Sequence, residues 1–428
     1  MNIHHKLLDA ATHALGIALK FEQPADAVLS QYFRQHHALG QRDRAFIAEA
    51  VFGVLRHKRV LEHVTENGNA RRLLLGWIAR FSGFNVADVS SALKAAEAAT
   101  VAQFKAISLD ELPVAVRTEL PDWVYERLAA SMTIADIVEL GRALQEPAPL
   151  DLRVNTLQSD RPRVLRQLAE RNIEALETVH SPIGVRISHK TALNREPMFL
   201  EGAVEVQDEG SQLVGYLVAP RRNDLVVDFC AGAGGKALML GAMMNSQGRV
   251  YAFDVSPARL SRLKPRLKRS GLSNLHPHLL RSEHDPKVKR LAGKIDRVLV
   301  DAPCSGLGTV RRNPDLKWRQ SPDSVAELRE KQTSILAAAS TLVKAGGRLV
   351  YATCSLLREE NEEIVDRFLE AHPEFAPLHC GEILRQQGIE TNIPQRMRLW
   401  PHVHGTDGFF GAAFERSRAG QAPGAPGR

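Results

Sequence analysis

Apolar residues recur at helical spacing through the N-terminal third of the chain. In the segment RDRAFIAEAVFGVLRHKRVLEHV the apolar positions fall on one face of a helix: Phe46, Ile47, Ala50, Val51, Val54 and Leu55. No Val/Ile alternation interrupts this region, and Pro147 and Pro149 in GRALQEPAPL disfavour its continuation as helix. The pattern predicts an all-helical domain over residues 1–142.

Beyond this region, short apolar runs alternate with helical segments. Strands are predicted at DLRVN, GVRIS, GAVEVQD, LVVDFC, RVYAFDV, DRVLVDAP and GRLVYATCS, with a helix at RPRVLRQLAERNI. Such alternation indicates βαβ units and a parallel sheet with helices on both faces. It predicts a linker and small α/β subdomain at 143–215, a larger α/β domain at 216–416, and a disordered Gly/Pro-rich tail at 417–428.

Composition narrows the class of protein without identifying it. The 428 residues are 44% hydrophobic, which is typical of a globular chain of two or three domains. A net charge of +7 is weak support for a nucleic-acid partner. The four cysteines are too few and too scattered for a disulfide framework, which favours a cytoplasmic protein, and none forms the CxxC pair typical of zinc or thioredoxin-like chemistry. Apolar runs such as RLLLGWIARF are far shorter than the ~18 residues of a membrane span.

A glycine-rich loop follows the predicted strand LVVDFC and precedes an apolar helix. It places Gly232, Gly234 and Gly235 where the lack of a side chain lets backbone approach a ligand closely. It is not a P-loop, because the first glycine of that motif would fall on Cys230 and its Ser/Thr on Ala237. A looser dinucleotide pattern ending at Ala237 survives, so the loop predicts an adenosyl cofactor.

Two carboxylates bear on which adenosyl cofactor this is. Asp228 ends the strand just before the loop, where it would repel a pyrophosphate but attract the cationic methionine end of S-adenosylmethionine. Asp254 ends the next strand, RVYAFDV, and can accept hydrogen bonds from ribose hydroxyls in either class. S-adenosylmethionine is favoured, and a nicotinamide cofactor or a purely structural glycine turn are the alternatives.

Two cysteines stand just beyond predicted strands, at the edge of the sheet where ligands bind in such folds. Cys304 lies in DAPCSG and Cys354 in YATCS, both in small polar surroundings instead of apolar ones. A thiolate is the soft nucleophile that adds to C6 of a pyrimidine and makes C5 electron-rich enough to accept a methyl group. The alternative for either residue is an ordinary packing cysteine, and the chemistry alone does not decide which thiol attacks.

Cations cluster in two segments. The run SPARLSRLKPRLKRSG holds six with no acid between them: Arg259, Arg262, Lys264, Arg266, Lys268 and Arg269. The segment TVRRNPDLKWRQ directly follows DAPCSG and adds Arg311, Arg312, Lys317 and Arg319 beside Trp318. A charge run is usually a solvated face. Cations and an aromatic ring close to the proposed chemistry, however, suit phosphate contacts and a base-stacking platform, so RNA is the predicted partner.

Together these motifs resemble the Nop/Sun (Fmu) family of RNA 5-methylcytosine methyltransferases. The matching segments are LRVNT, QDEGSQ, DFCAGAGGK, AFD, DAPCSG, RRNPDLKW, YATCS with the following EEN, and DGFF. The helical region resembles the family's NusB-like RNA-binding domain through RDRAFIAEAVFGVLR. The resemblance implies an α/β protein: a Rossmann-like S-adenosylmethionine-dependent methyltransferase domain at 216–416, an RNA-recognition subdomain at 143–215, and a preceding all-helical NusB-like domain.

The resemblance also implies residue roles. The family's Thr-Cys motif makes Cys354 the nucleophile, and Cys304 is then expected to assist breakdown of the covalent adduct. Asp301 matches the carboxylate beside the cofactor and target base. The catalytic residues implied are Cys354, Cys304 and Asp301, and the cofactor-binding residues are Cys230, Ala231, Gly232, Ala233, Gly234, Gly235, Lys236, Asp254 and Asp301. No metal is expected.

The implied reaction is methyl transfer from S-adenosyl-L-methionine to C5 of a cytosine in 16S ribosomal RNA, through a cysteine–C6 adduct. The enzyme is expected to be a cytoplasmic monomer that binds neither DNA nor membrane. One alternative is a transfer RNA substrate, because family membership does not fix the RNA. Another is a non-catalytic RNA-binding assembly factor.

Departures from the family pattern motivate the non-catalytic alternative. The family loop reads CAAPGGKT, whereas Ala233 and Ala237 replace its Pro and Thr here. An Asp expected near the adenine, after the predicted strand in HPHLLRSEHD, falls around Arg281 or Ser282, which leaves Glu283 and Asp285 as candidates.

Several further residues have two interpretations. Arg153 and Asn155 in LRVNT, and Gln207 and Asp208 in QDEGSQ, contact RNA by resemblance or are ordinary strand-end polar residues. His402 and His404 lack a partner at metal-ligand spacing, which favours structural roles. Cys380 has no assigned role.

Overall fold

The computed structural model describes residues 3–84, 89, 92–189 and 192–418. It divides into two compact units. The first, here called the helical unit, comprises Met1–Pro147 and Thr309–Pro322, and the second, the α/β unit, comprises Ala148–Gly308 and Asp323–Arg428. The chain therefore enters the helical unit twice. Apart from Ser417 and Arg418, the predicted disordered tail lies outside the described residues.

The helical unit is built around the apolar faces that its sequence predicts. All six periodic residues of the helix Gln41–Arg56 are buried. Asn69 and Thr133 accept hydrogen bonds from backbone N–H groups in the first turns of their helices, as N-cap residues do. The described helices of this unit are His5–Ala18, Ala25–Gln35, Gln41–Arg56, Lys58–Val64, Ala70–Arg80, Ala95–Ala106, Val114–Arg117, Asp122–Ala129, Ile134–Gln145 and Leu316–Arg319.

A small four-stranded sheet begins the α/β unit. Its strands are β1 (Leu150–Val154), β2 (Ala175–Glu177), β3 (Gly184–Ile187) and β4 (Val204–Val206), in the order β2-β3-β1-β4, with helices Arg161–Glu170 and Pro197–Leu200. All three pairings are antiparallel, so the prediction of parallel pairing is wrong for this part. The physical reason is the alternation of apolar and polar residues along β1. Leu152 and Val154 face the apolar core while Asp151 and Arg153 lie on the other face, which is typical of antiparallel strands.

The large sheet follows the predicted βαβ pattern. Its strands are β5 (Leu225–Asp228), β6 (Arg249–Asp254), β7 (Leu275–Leu279), β8 (Ile295–Asp301), β9 (Val343–Thr353), β10 (Phe375–Leu378), β11 (Met397–Leu399) and β12 (Phe409–Arg416). The order is β10-β12-β9-β8-β5-β6-β7, with β11 also paired to β12. Strands β5 to β9 are parallel, and β12 runs antiparallel to β9. The sheet is therefore mixed.

Helices accompany these strands, and both faces of the sheet are buried. Val226 and Leu299 belong to one apolar cluster, while the neighbouring Val227 and Val298 belong to another. The helices are Glu209–Val218, Gly235–Met243, Pro257–Ser270, Pro286–Arg290, Pro322–Ser340, Glu362–Ala371, Cys380–Gln386 and Pro401–His404, with 3-10 turns at Leu193–Arg195, Leu307–Thr309 and Arg358–Glu360. None of the described helices is long and apolar enough to cross a membrane.

The strand order places a ligand site. The chain adds β6 and β7 on one side of β5 and then β8 and β9 on the other, so the strand order reverses at β5. In doubly wound sheets, ligands bind outside the carboxyl ends of the strands at such a switch point. Asp228 ends β5, Asp254 ends β6 and Asp301 ends β8, while Cys354 follows directly after β9. The predicted site residues thus come from one edge of one sheet.

Candidate active site

The two predicted cysteines lie side by side. The Sγ atoms of Cys304 and Cys354 are 3.5 Å apart, and the Gly308 N–H donates to the Cys354 carbonyl at 2.8 Å, which ties the two loops together. The contact with Cys354, burial, and the charge of Glu360 raise the pKa of Cys304 well above its ordinary value. Cys304 is therefore a thiol at neutral pH.

One buried carboxylate contacts both cysteine loops. Glu360 accepts hydrogen bonds from the Ser305 N–H at 2.8 Å and from the hydroxyls of Ser305 and Ser355. Gln332 Nε2 donates a further bond to it at 3.0 Å. Each serine directly follows a cysteine. Glu360 was given no role from the sequence, where it stands only as part of the segment EEN after YATCS.

Lys236 and Asp301 form an ion pair across the loop and the end of β8. Lys236 Nζ lies 2.7 Å from Asp301 Oδ2 and 5.4 Å from the centre of the Phe409 ring. Burial alone would lower the pKa of Lys236, but the charges of Asp301, Asp228 and Cys354 together raise it. The ammonium of Lys236 thus lies within electrostatic reach of the Cys354 sulfur.

Asp228 is the strongest sign of a bound cation in the described residues. Its side chain is 1% exposed, and its Oδ1 atom has no hydrogen-bond partner. Burial and the nearby Asp301 raise its pKa to about 7, against the opposing charge of Lys236. An unpartnered buried carboxylate oxygen is costly unless a ligand satisfies it. The residues present therefore fit a cofactor with a cationic end.

The glycine loop has the geometry of a ligand cradle. Gly232 and Gly234 have φ of +57° and +84°, a region that favours glycine. A Cβ on Gly234 would lie 2.1 Å from Leu263 Cδ1, whereas one on Gly232 would meet nothing within 4 Å. Asp254 accepts from the N–H groups of Gly232 at 2.8 Å and Ser256 at 2.7 Å, which fixes the loop against β6.

The other loop residues contribute backbone more than side chains. The Ala231 N–H donates to the Phe253 carbonyl at 2.8 Å, and the Ala233 carbonyl accepts from Arg266 at 2.7 Å. Burial raises the pKa of Cys230 well above its ordinary value, so this thiol is inert. The Gly235 carbonyl faces the Arg153 guanidinium at 3.5 Å.

The departures from the family loop have structural explanations. Ala237 is fully buried in the apolar core, and Arg266 braces the carbonyl of Ala233, the position that is Pro in the family loop. Beyond β7, Asp285 accepts from the N–H groups of Arg281 and Lys287, and Glu283 accepts from the Ser334 hydroxyl. Both carboxylates have protein partners, and neither is singled out for the adenine.

The basic run on the helix Pro257–Ser270 has two parts. Arg266 and Arg269 both pair with the buried Glu205, at 2.8 and 2.6 Å, and so join the small sheet to the cofactor loop. The remaining four cations are exposed: Arg259, Arg262, Lys264 and Lys268. Only these four keep the predicted role of an open RNA-binding surface.

The second basic segment belongs to the helical unit. Trp318 Nε1 donates to the Leu55 carbonyl at 2.7 Å, and Lys317 Nζ donates to the Arg56 carbonyl at 3.0 Å. The ammonium groups of Lys58 and Lys317 lie 4.7 and 4.9 Å from the Trp318 ring. The indole N–H of Trp318 is thus engaged within this unit while its side chain stays partly exposed, and the stacking-platform role remains a prediction.

The polar residues of LRVNT and QDEGSQ are structural. Arg153 is 2% exposed and donates to Gln207 Oε1 at 2.6 Å, while Asn155 donates to the carbonyls of Gly202 and Ser270, both at 2.9 Å. Asp208 accepts from the N–H groups of Gly210 and Asp407. These side chains hold the small sheet against the large one, and the RNA-contact interpretation is wrong for them.

The remaining candidates have structural surroundings. His404 Nδ1 accepts from the Trp400 N–H at 3.0 Å, which is a structural contact. Cys380 is packed in the core, where burial raises its pKa to about 11. Within the described part of the chain, no group of three or more His, Cys, Asp or Glu is placed to hold a metal ion.

The chain is similar in sequence to known RNA methyltransferases and in fold to a solved structure. A family model described as 16S rRNA methyltransferase RsmB/F matches residues 215–415, and one described as an RsmF/B-like ferredoxin-like domain matches 120–194. The probable ribosomal RNA small subunit methyltransferase B of Synechocystis sp. is 32% identical over 421 residues, covering 90% of this chain and 93% of the relative. Its counterpart in Bacillus subtilis is 29% identical, covering 94% and 97%. The crystal structure of PH0851 superposes with a TM-score of 0.78 at 25% identity, covering 97% of this chain and 100% of that one.

Proposed function

Because the chain belongs to the RsmB/F family of 16S rRNA methyltransferases, we propose that it methylates C5 of a cytosine in 16S ribosomal RNA through a covalent cysteine adduct. The family assignment agrees with S-adenosyl-L-methionine, the cofactor predicted from the glycine loop, and not with the nicotinamide alternative. The observation that carries the proposal is the pair of thiols 3.5 Å apart beside the Lys236–Asp301 ion pair.

The cofactor residues are those of the cradle. Gly232 allows close approach of the cofactor, and Gly234 supplies the positive φ that the loop needs. Asp254 takes the ribose hydroxyls, and Asp228 offers its unpartnered oxygen to the cationic methionine end. When bound, S-adenosyl-L-methionine supplies an electrophilic methyl group on a sulfonium. Asp228 and Asp301 make the local field negative, which suits a cationic ligand.

The two cysteines divide the work on the cytosine. C5 of a cytosine is a poor nucleophile until C6 carries an extra bond. The Cys354 thiolate forms that bond, and its electron pair raises electron density at C5, which then takes the methyl group. Loss of the C5 proton and cleavage of the Sγ–C6 bond restore the ring double bond and the thiolate.

Electrostatics support this assignment of roles. Lys236 places a positive charge within reach of Cys354, while the raised pKa of Cys304 keeps it a thiol. A neutral thiol 3.5 Å from the nucleophile is suited to proton exchange during breakdown of the adduct. Lys236 and Asp301, which pair at 2.7 Å, take the role of orienting the base.

The proposal assigns RNA recognition to both units. The helical unit takes the NusB-like RNA-binding role, and the four exposed cations of the helix Pro257–Ser270 contact phosphates. The target base has to leave its stack to reach the thiols, at a cost of a few kcal/mol that such contacts offset. The protein is proposed to act as a monomer in the cytoplasm.

Two measurements test the proposal. Bisulfite sequencing of RNA from a deletion strain should locate one lost 5-methylcytosine in 16S ribosomal RNA, and loss from a transfer RNA instead would contradict the assigned substrate. Calorimetry with S-adenosyl-L-methionine should show binding at a single site. Absence of both binding and a lost methylcytosine would favour the non-catalytic assembly factor.

A further inference from the structure

Glu360 is a fully buried carboxylate that lies between the two cysteine loops without touching the proposed reacting atoms. We propose that Glu360 is a positioning residue that holds Cys304 and Cys354 in register and keeps Cys304 from acting as the nucleophile. The catalytic part of this inference rests on the proposed function. Its geometric and electrostatic parts rest only on the contacts of the carboxylate.

The contacts join the residues that follow the two cysteines. One carboxylate oxygen accepts from the Ser305 N–H at 2.8 Å and from Gln332 Nε2 at 3.0 Å. The other accepts from both serine hydroxyls, which are themselves 3.1 Å apart. Four donors on one carboxylate leave it little freedom, so a shift of either loop breaks a charge-assisted hydrogen bond.

Neighbouring residues extend this clamp to the other side of each cysteine. Gln332 also donates to the carbonyl of Pro303, which precedes Cys304, at 3.0 Å. Asn361 accepts from the hydroxyl of Thr353 and donates to the Ser355 carbonyl at 3.0 Å, and so it holds both neighbours of Cys354. Both loops are thus fixed on both sides, by Glu360 and its neighbour Asn361 together with Gln332 of the helix Pro322–Ser340.

The charge of Glu360 matters as well as its shape. It is among the causes that raise the pKa of Cys304, after the contact with Cys354 and burial. A positive charge, that of Lys236, lies within electrostatic reach of Cys354 instead. Removing the charge of Glu360 should make Cys304 easier to ionise, so that two thiols compete for the role that one should have.

The test compares Glu360→Gln with Glu363→Gln. Both make the same chemical change in neighbouring turns, but Glu363 pairs with Arg329 at 2.9 Å and contacts neither cysteine loop. Each variant is measured for methyl transfer to RNA, for S-adenosyl-L-methionine affinity, and for iodoacetamide alkylation of each cysteine against pH, resolved by peptide mass spectrometry. Ser355→Ala, which removes a single donor, serves if Glu360→Gln does not fold.

For Glu360→Gln we expect kcat to fall about 10- to 100-fold, because small misplacements of reacting groups cost that much, with less than about a threefold change in cofactor affinity. The pH midpoint for Cys304 alkylation should fall by about one unit or more. Ser355→Ala should show a smaller fall in kcat. Glu363→Gln should match the wild type in every measurement.

Two results would overturn the inference. One is a folded Glu360→Gln protein with wild-type kcat and an unshifted Cys304 profile. The other is loss of activity in parallel with loss of cofactor binding and an unchanged alkylation profile, which indicates only a damaged fold. If the wild type itself fails to methylate RNA, the proposed function fails, while the alkylation profiles still decide the position and charge effects of Glu360.

Discussion

The Sγ atoms of Cys304 and Cys354 are 3.5 Å apart although 50 positions of sequence separate them. The thiols come from the ends of adjacent parallel strands, β8 and β9, so the sheet brings them together. Their environments differ: the Lys236 ammonium lies within electrostatic reach of Cys354, while the contact with Cys354, burial and the charge of Glu360 raise the pKa of Cys304. Two chemically identical side chains therefore have different surroundings, and the proposed function gives them different roles.

The first prediction concerns single removal of each thiol. Cys354→Ala should abolish transfer of labelled methyl groups to RNA, because no bond to C6 forms. Cys304→Ala should accumulate a protein–RNA adduct that survives denaturing electrophoresis, because breakdown is impaired. Cys380→Ala, a loss of a core cysteine outside the site, should retain activity. Full activity in Cys354→Ala would sink the assignment of the nucleophile.

The second prediction concerns the pH dependence of cofactor binding. The pKa of Asp228, raised to about 7 by burial and Asp301, means that this carboxyl is mostly protonated at pH 6 and mostly charged at pH 8. A cationic ligand prefers the charged form, so S-adenosyl-L-methionine affinity should rise with pH across this window. At a pH one unit below the pKa of the carboxyl, about nine-tenths of it is protonated, so the protein loses up to about tenfold in affinity for such a ligand.

Titration calorimetry in buffers of different ionisation enthalpy measures this coupling directly. The wild type should release a fraction of a proton on binding near pH 6.5, whereas Asp228→Asn should bind more weakly, with no pH dependence and no proton release. A wild-type affinity that stays constant from pH 6 to pH 8 would rule out Asp228 as the partner of the cation.

The third prediction separates two glycines of the loop. Gly234→Ala would place a Cβ 2.1 Å from the buried Leu263 at φ of +84°, so it should lower the free energy of unfolding by about 2 kcal/mol or more. Gly232→Ala meets open space and should cost only about 1 kcal/mol of backbone strain. Because the proposed function puts the cofactor in that open space, Gly232→Ala should weaken cofactor binding more than its stability loss explains. Thermal unfolding and calorimetry on both variants check the contrast, and equal effects would refute it.

The fourth prediction separates exposed from paired cations on the helix Pro257–Ser270. The double variant Arg262→Gln, Lys264→Gln should weaken RNA binding and reduce the slope of log affinity against log salt by up to about two, with little change in stability. Arg269→Gln should instead destabilise the fold by about 1–3 kcal/mol, because it leaves the buried Glu205 with one partner fewer. Filter binding over a salt series, paired with thermal unfolding, distinguishes them. A wild-type salt slope in the double variant would contradict the proposed RNA surface.

The hydrophobic pattern of the sequence predicted the individual helices and strands. The helical face around Phe46 and Val54 and the strands that end at Asp228 and Asp301 follow from periodicity and from apolar runs between turns. The edge of the sheet then brings the glycine loop and both cysteines together. The placement of Cys304 beside Cys354 is a consequence of parallel strand order that motif spacing made predictable.

The contacts missed from the sequence are with partners that are distant along the chain. Arg262 and Arg269 are equivalent by composition, yet Arg269 is paired because Glu205 comes to it from another sheet. Trp318 resembles a free aromatic until Leu55, more than 260 positions away, accepts its N–H. Glu360 was missed for the same reason, since its donors, apart from Ser355, come from elsewhere in the chain. Sequence shows which groups need partners, but not which partners the fold supplies.

The residues Thr309–Pro322 follow the Cys304 loop by a few positions, yet they are part of the helical unit. The gene therefore has no single point at which it can be cut into two complete modules. Deleting residues 1–147 would leave Trp318 and Lys317 without Leu55 and Arg56, and would expose an apolar and cationic segment next to the cysteine-bearing loop. Loss of activity in such a truncation would therefore not by itself measure RNA binding by the helices, because the truncation also leaves Thr309–Pro322 without its packing partners.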